Sequence, residues 1–118
     1  MSVRGVFVNA SERRVLAAGE VLFSEGDGGN EMFGVVHGQI ELRHGDHVLA
    51  TIGPDDTFGE MSLIDQSPRS LTAVATQPSE VAVINERVFL FLVHETPTFA
   101  LQVMRTLADR IRELNERL

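Results

Sequence analysis

The 118-residue chain contains no cysteine and no lysine. Without cysteine, disulfides, thiolate metal ligands and thiol catalysis are excluded. Without lysine, so is a P-loop, which needs that side chain against the phosphates. No apolar run approaches the roughly 18 residues of a membrane-spanning helix. The opening stretch MSVRGVFVNASERR lacks the apolar core of a signal peptide. A cytoplasmic protein with no membrane partner is the expectation. Positive charge is also short. The formal net charge of -7 opposes nucleic-acid binding, which requires cations to neutralise phosphates, so no DNA binding is expected of this chain. All ten basic residues are arginine. Arg105, Arg110, Arg112 and Arg117 alternate with Asp109, Glu113 and Glu116, which reads as a solvated, salt-bridged helix face. No Ser/His/Asp constellation is visible, and no enzyme activity is expected.

What is present suits one globular domain over residues 1–118, 43% hydrophobic and long enough for a single core. Ser11 to Ala18 is expected to form a short helix capped by Ser11 and ended by Gly19, making residues 1–19 an N-terminal helical segment. From residue 20 the pattern changes. VLF (21–23), MFGVV (32–36), IELR (40–43), VLATI (48–52), LTAVA (71–75) and EVAVI (80–84) are short β-type runs. Glycine- and aspartate-rich turns separate most of them. Strands this short and closely spaced predict an all-β sandwich or barrel over 20–84.

The C-terminal part, 86–118, reads as helical. Glu86 to His94 is stopped by Thr96-Pro97, and Pro97 can open a longer helix running to Leu118. Ala100, Leu107 and Leu114, with Met104, Ile111 and Leu118, have the a/d spacing of a coiled coil, so a homodimer through residues 100–118 is expected. Phe99, Leu101 and Val103 widen the apolar face where the helix should pack on the β domain.

The rest of the chain is organised around residues 58–73, FGEMSLIDQSPRSLTA. Gly59 permits close approach of the backbone. Glu60 to Ile64 suffices for one helical turn, whose first N–H groups suit an anion. Arg69 adds a permanent charge and a planar fork that can hold two phosphate oxygens. Glu60 repels phosphate but accepts from neutral hydroxyls such as those of a ribose. The plainer alternatives are a Thr57–Glu60 capping box, a solvated turn arginine at 69 and a Ser70 hydroxyl bonded to nearby backbone.

FGEMSLI, a four-residue spacer and PRSLTAVA resemble the phosphate-binding cassette of cyclic nucleotide-binding domains. That family includes catabolite-activator-type regulators, regulatory subunits of cAMP-dependent kinase and cyclic nucleotide-gated channels. GEVLFSEGD and HGQIELR resemble the opening of the same roll. The resemblance implies a mainly β fold: an antiparallel β-roll or jelly roll with flanking helices, a short helix in the cassette and a long C-terminal helix. It implies binding of a 3′,5′-cyclic nucleotide, taken as cAMP with cGMP as the other candidate, by a sensor module that signals through movement of its C-terminal helix.

Carried onto this sequence, the ligand-binding residues are Phe58, Gly59, Glu60, Met61, Ser62, Pro68, Arg69, Ser70, Leu114 and Asn115. Arg69 takes the cyclic phosphate, helped by the Met61 and Ser62 backbone and by Ser70. Glu60 takes the ribose 2′-hydroxyl. Leu114 and Asn115 face the base from the lid helix. Bacterial relatives continue into a DNA-binding helix-turn-helix, whereas this sequence stops at Leu118, so a free-standing module and a fragment are both open, with an unidentified downstream protein. The rival is a ligand-independent interaction or dimerisation domain of the same fold. His44-Gly45-Asp46-His47 faintly resembles a cupin metal pair, but no further ligand completes the set and no metal is expected.

Overall fold

The computed structural model describes residue 7 and residues 10–116. Its strands are β1 (Arg13–Leu16), β2 (Val21–Phe23), β3 (Glu31–His37), β4 (Ile40–His44), β5 (His47–Ile52), β6 (Thr57–Phe58), β7 (Thr72–Ala75) and β8 (Ser79–Asn85). Helices α1 (Glu60–Asp65), α2 (Glu86–Glu95) and α3 (Thr98–Glu116) accompany them. The strands form two antiparallel four-stranded sheets, ordered β1-β8-β3-β6 and β2-β7-β4-β5. This is the β-roll with flanking helices that the turn spacing and the resemblance led us to expect.

The run MFGVV in β3 is apolar without alternation because both of its faces are covered. Phe33 and Val35 point between the sheets with Ile40, Leu42, Phe58, Ala73, Val81 and Val83. Met32 and Val36 point the other way, joining Phe7, Ala82, Ile84, Phe99 and Val103 beneath the helices. The first core closes the roll. The second seats α2 and α3 on it. Asn85 caps α2, its side chain accepting from the Val88 N–H at 2.8 Å. Thr96 ends that helix, and α3 begins after Pro97.

Three expectations are corrected. Arg13–Leu16 is a strand, not part of a helix, because it pairs along β8 from Arg13↔Ala82 to Leu16↔Ser79. Of the expected N-terminal helical segment, residues 1–6 and 8–9 lie outside the described residues, and residues 10–12 and 17–19 are not helical. Leu101 does not pack on the roll: it is exposed, while Phe99 and Val103 are buried. The solvent-facing stripe of α3 is Leu101, Met104, Ile111 and Leu114, whereas Leu107 turns inward against the second core. Leu118 lies outside the described residues.

Candidate functional site

The cassette starts at β6, which brings Phe58 into the first core, stacked on Phe33 at 5.4 Å. Gly59 then turns the chain into α1 with φ of 79°, a left-handed conformation that a Cβ disfavours. It is the helix N-cap and offers no side-chain cap. The Thr57–Glu60 capping box therefore does not form. Thr57 is a buried strand residue whose Oγ1 has no partner. After α1, Ser62 Oγ donates to the Ser67 carbonyl at 2.8 Å and shapes the return towards Arg69.

Arg69 is 6% exposed. Its backbone is stitched to the β2–β3 loop: Arg69 N–H donates to the Asp27 carbonyl at 2.9 Å, and Gly26 N–H donates to the Arg69 carbonyl at 2.8 Å. The guanidinium centre lies 4.3 Å from the centroid of the Phe23 ring and 5.5 Å from that of Phe33. Nη1 donates to the Gly59 carbonyl at 3.1 Å, while Nε is buried without a partner. Burial lowers the pKa of this guanidinium, Glu31 and Asp27 pull it back, and Arg14 lowers it further. The plain alternative of a solvated turn arginine is excluded by this burial.

Glu60 is also buried, at 5% exposed. Its Oε1 accepts from Arg110 Nη1 at 2.7 Å, and Arg110 Nη2 donates to the Thr57 carbonyl. Its Oε2 has no partner. Arg110 thus belongs to the site, not to the solvated helix face read from the sequence. The signal was available. Phe99, Val103, Leu107 and Arg110 recur at spacings of four, four and three, placing Arg110 on the inward stripe of α3. Sequence reasoning also missed Phe23, which ends β2 and had no polar chemistry to attract attention.

The remaining expected residues divide. Met61, Pro68 and Ser70 are solvent-facing. Leu114 lines a narrow, mostly apolar cavity of about 100 Å³ with Leu42, Leu49, Ala50, Leu71, Arg110 and Glu113. Asn115 is exposed and is not among the cavity's lining residues, so the structure does not place it with Leu114. His44 Nδ1 lies 3.1 Å from Glu25 Oε2. Among the described residues no group of three or more histidine or acidic side chains has the geometry to hold a metal ion. Among them, too, no helix is long and apolar enough to cross a membrane.

On the outer side of Arg110, a polar cleft of about 460 Å³ between β5 and α3 contains Asp56, Asp109 and Glu113. Burial raises the Asp56 pKa, Arg110 opposes the rise, and Asp55 and Asp109 add to it. A carboxyl whose folded pKa lies above its unfolded value lowers stability once both states are ionised, and this loss is recovered as pH falls through the folded pKa. Asp56→Asn is therefore expected to stabilise the domain at pH 7. That gain should shrink as pH drops towards the ordinary aspartate range near about 3.9, which denaturant midpoints across a pH series will measure.

Comparison with known proteins agrees with this geometry. The family profile described as cyclic nucleotide-binding domain matches residues 13–96. The cyclic AMP receptor protein of Thermus thermophilus is 34% identical over 107 residues, covering 86% of this chain and 50% of the relative. A crystal structure of the Thermus thermophilus catabolite activator protein superposes with a TM-score of 0.78 at 32% identity, over 98% of this chain and 55% of that one. A solved protein from a cyclic-GMP-dependent signalling pathway of bacterial phytopathogenesis gives 0.72 at 34% identity, over 86% and 85%. The chain spans about half the length of the first curated relatives it matches. It belongs to the cyclic nucleotide-binding domain family, whose members here include regulators of the catabolite-activator type.

Proposed function

We propose that this domain binds a 3′,5′-cyclic nucleotide, taken as cAMP, and works as a regulatory sensor whose output is the position of α3. One observation carries the reading: the cassette holds a buried acceptor, Glu60 Oε2, and a buried donor, Arg69 Nε, neither with a partner. An unpaired buried polar group costs about 1–3 kcal/mol, so a ligand that bonded both atoms would relieve that cost. A ribose hydroxyl suits the carboxylate oxygen, and a cyclic phosphate suits the guanidinium. Ser70, exposed and next to Arg69 in sequence, would add a bond to the phosphate.

The base would enter the cavity bounded by Leu42, Leu71 and Leu114. At about 100 Å³ that cavity is smaller than the roughly 300 Å³ of ordinary ligand clefts. Base entry therefore requires the second half of α3 to shift, and the Arg110–Glu60 pair lies on that moving boundary. The exposed stripe of Leu101, Met104 and Ile111 gives α3 an apolar face for a second copy, so a homodimer is part of the proposal.

The test is calorimetric titration of cAMP and cGMP into protein refolded free of co-purified nucleotide. Binding at micromolar order or tighter is expected. The 2′-deoxy analogue should bind roughly 10- to 100-fold more weakly, the worth of a hydrogen bond to a charged acceptor. Absence of heat and of competition at millimolar nucleotide would overturn the sensor reading in favour of a ligand-independent assembly domain.

A further inference from the structure

We propose that Phe23 is a positioning residue for the anion-binding guanidinium. With Phe33 and the side-chain-free backbones of Gly29 and Gly59, it forms a slot that seats Arg69 while leaving most of its N–H donors unspent. The inference rests on the cyclic nucleotide reading and deepens it.

The slot is built from four separate segments. Phe23 ends β2, and the β2–β7 ladder shifts register between Val21 and Phe23, an irregularity of the kind that re-aims a side chain. The Phe23 ring lies 5.9 Å from Phe33 and 6.1 Å from Phe58, so the first core fixes it from behind. The guanidinium centre rests 4.3 Å from its centroid. Elsewhere around the fork the walls are bare backbone. A Cβ on Gly29 would stand 2.7 Å from Arg69 Nη2, and one on Gly59 3.0 Å from Nη1. Side chains at either position would push the fork from its seat.

A buried cation is normally held by a carboxylate, and here it is not. Glu31 pairs with Arg14 at 3.1 Å, and Asp27 Oδ2 accepts from the Ser24 N–H at 2.9 Å. Arg69 forms no ion pair among the described residues, and its fork donates one hydrogen bond, to the Gly59 carbonyl. A carboxylate would hold the charge by consuming the donors that a phosphate needs. An aromatic face attracts the same charge through its quadrupole and consumes none of them. The ring therefore pre-arranges the arginine, and less ordering remains to be done when the anion arrives.

Fluorination of the ring separates this electrostatic role from simple packing, since it drains the quadrupole while nearly preserving shape. Titrations of cAMP and cGMP would be run on protein carrying mono-, di- or trifluorophenylalanine at position 23, with Phe23→Leu and Phe23→Tyr alongside. The dissociation constant should rise stepwise with fluorination, reaching roughly 3- to 10-fold for the trifluoro ring and for Phe23→Leu. Phe23→Tyr, which keeps the face, should restore binding to within about 2-fold. A constant unmoved by fluorination, or falling with it, overturns the proposal.

A second readout needs no nucleotide. The Arg69 Nε–H resonance, assigned by its loss in Arg69→Met, should be ring-current shifted in the ligand-free domain and return towards the ordinary arginine position in Phe23→Leu. Failure of the unmodified domain to bind either nucleotide overturns the sensor reading alone. Inorganic phosphate then decides the slot: titration should move the Arg69 resonance saturably, and at higher phosphate in Phe23→Leu. A resonance unmoved by Phe23→Leu or by phosphate overturns it.

Discussion

An Arg69→Met variant is expected to lose cyclic nucleotide affinity by at least about 30-fold, with the fold intact. Removing one side of a desolvated charge pair costs roughly 2–5 kcal/mol. In the ligand-free domain the same change should move stability by no more than about 1 kcal/mol. The arginine is buried over Phe23 with one hydrogen bond, no ion pair and an unpartnered Nε. Replacing such a cation with an unbranched apolar chain relieves its desolvation and gives up its attraction to the ring, two terms of opposite sign. Calorimetry and a denaturant melt on one preparation would show the split. A stability loss of several kcal/mol with affinity unchanged would make Arg69 a structural residue and remove the basis for a phosphate site.

The second large effect is at Arg110, and here stability should fall. Its guanidinium bridges Glu60 Oε1 and the Thr57 carbonyl, tying α3 to the start of the cassette. Arg110→Ala would leave the Glu60 carboxylate buried at 5% exposure without a cation, a loss of about 2–4 kcal/mol for a pair buried this far. In a Glu60→Gln background the same substitution should cost markedly less, because no charge is left stranded. Amide exchange should quicken over the second half of α3 in the single variant, and cAMP should alter exchange over the same stretch of the unmodified domain. Identical exchange across residues 98–116 with and without bound nucleotide would argue against α3 as the output. The same carboxylate holds α3 through one oxygen and has the other unpartnered, so in the proposed reading ligand and helix would meet on a single side chain.

Much of this was legible in the primary structure. The strands announced themselves because short β-type runs alternate with Gly-Asp and Gly-Pro-Asp turns, whose chemistry is local. The cassette was legible through the family resemblance carried by Gly59 and Glu60 and, nine or ten residues on, Arg69 and Ser70. Ser11–Ala18 misled because a capping serine and a closing glycine frame it like a helix. Pairing with β8 overrode that local preference, as sheet context commonly does. β6 was too short to show any alternation. Leu114 and Asn115 were both taken from the resemblance as residues facing the base; Leu114 lines the apolar cavity beside Arg110, and Asn115 is exposed and not among its lining residues.

The sequence by itself determined the roll, its turns and the two-part C-terminal helix, which follow from residue types acting over a few positions, and its motifs carried the resemblance to the family. Only the tertiary structure decided what each charged group faces. Arg110 and Arg112 are both arginines of one helix, yet Arg110 is partly buried against Glu60 and Arg112 reaches Asp109 in solvent. Two residues along a helix is a rotation of about 200°, so only the docking of α3 on the second core determines which arginine meets Glu60. Arg69 depends on place in the same way. Its partner is an aromatic ring on β2, brought to it by pairing between β2 and β7, and burial of that kind belongs to where a residue lies in the fold.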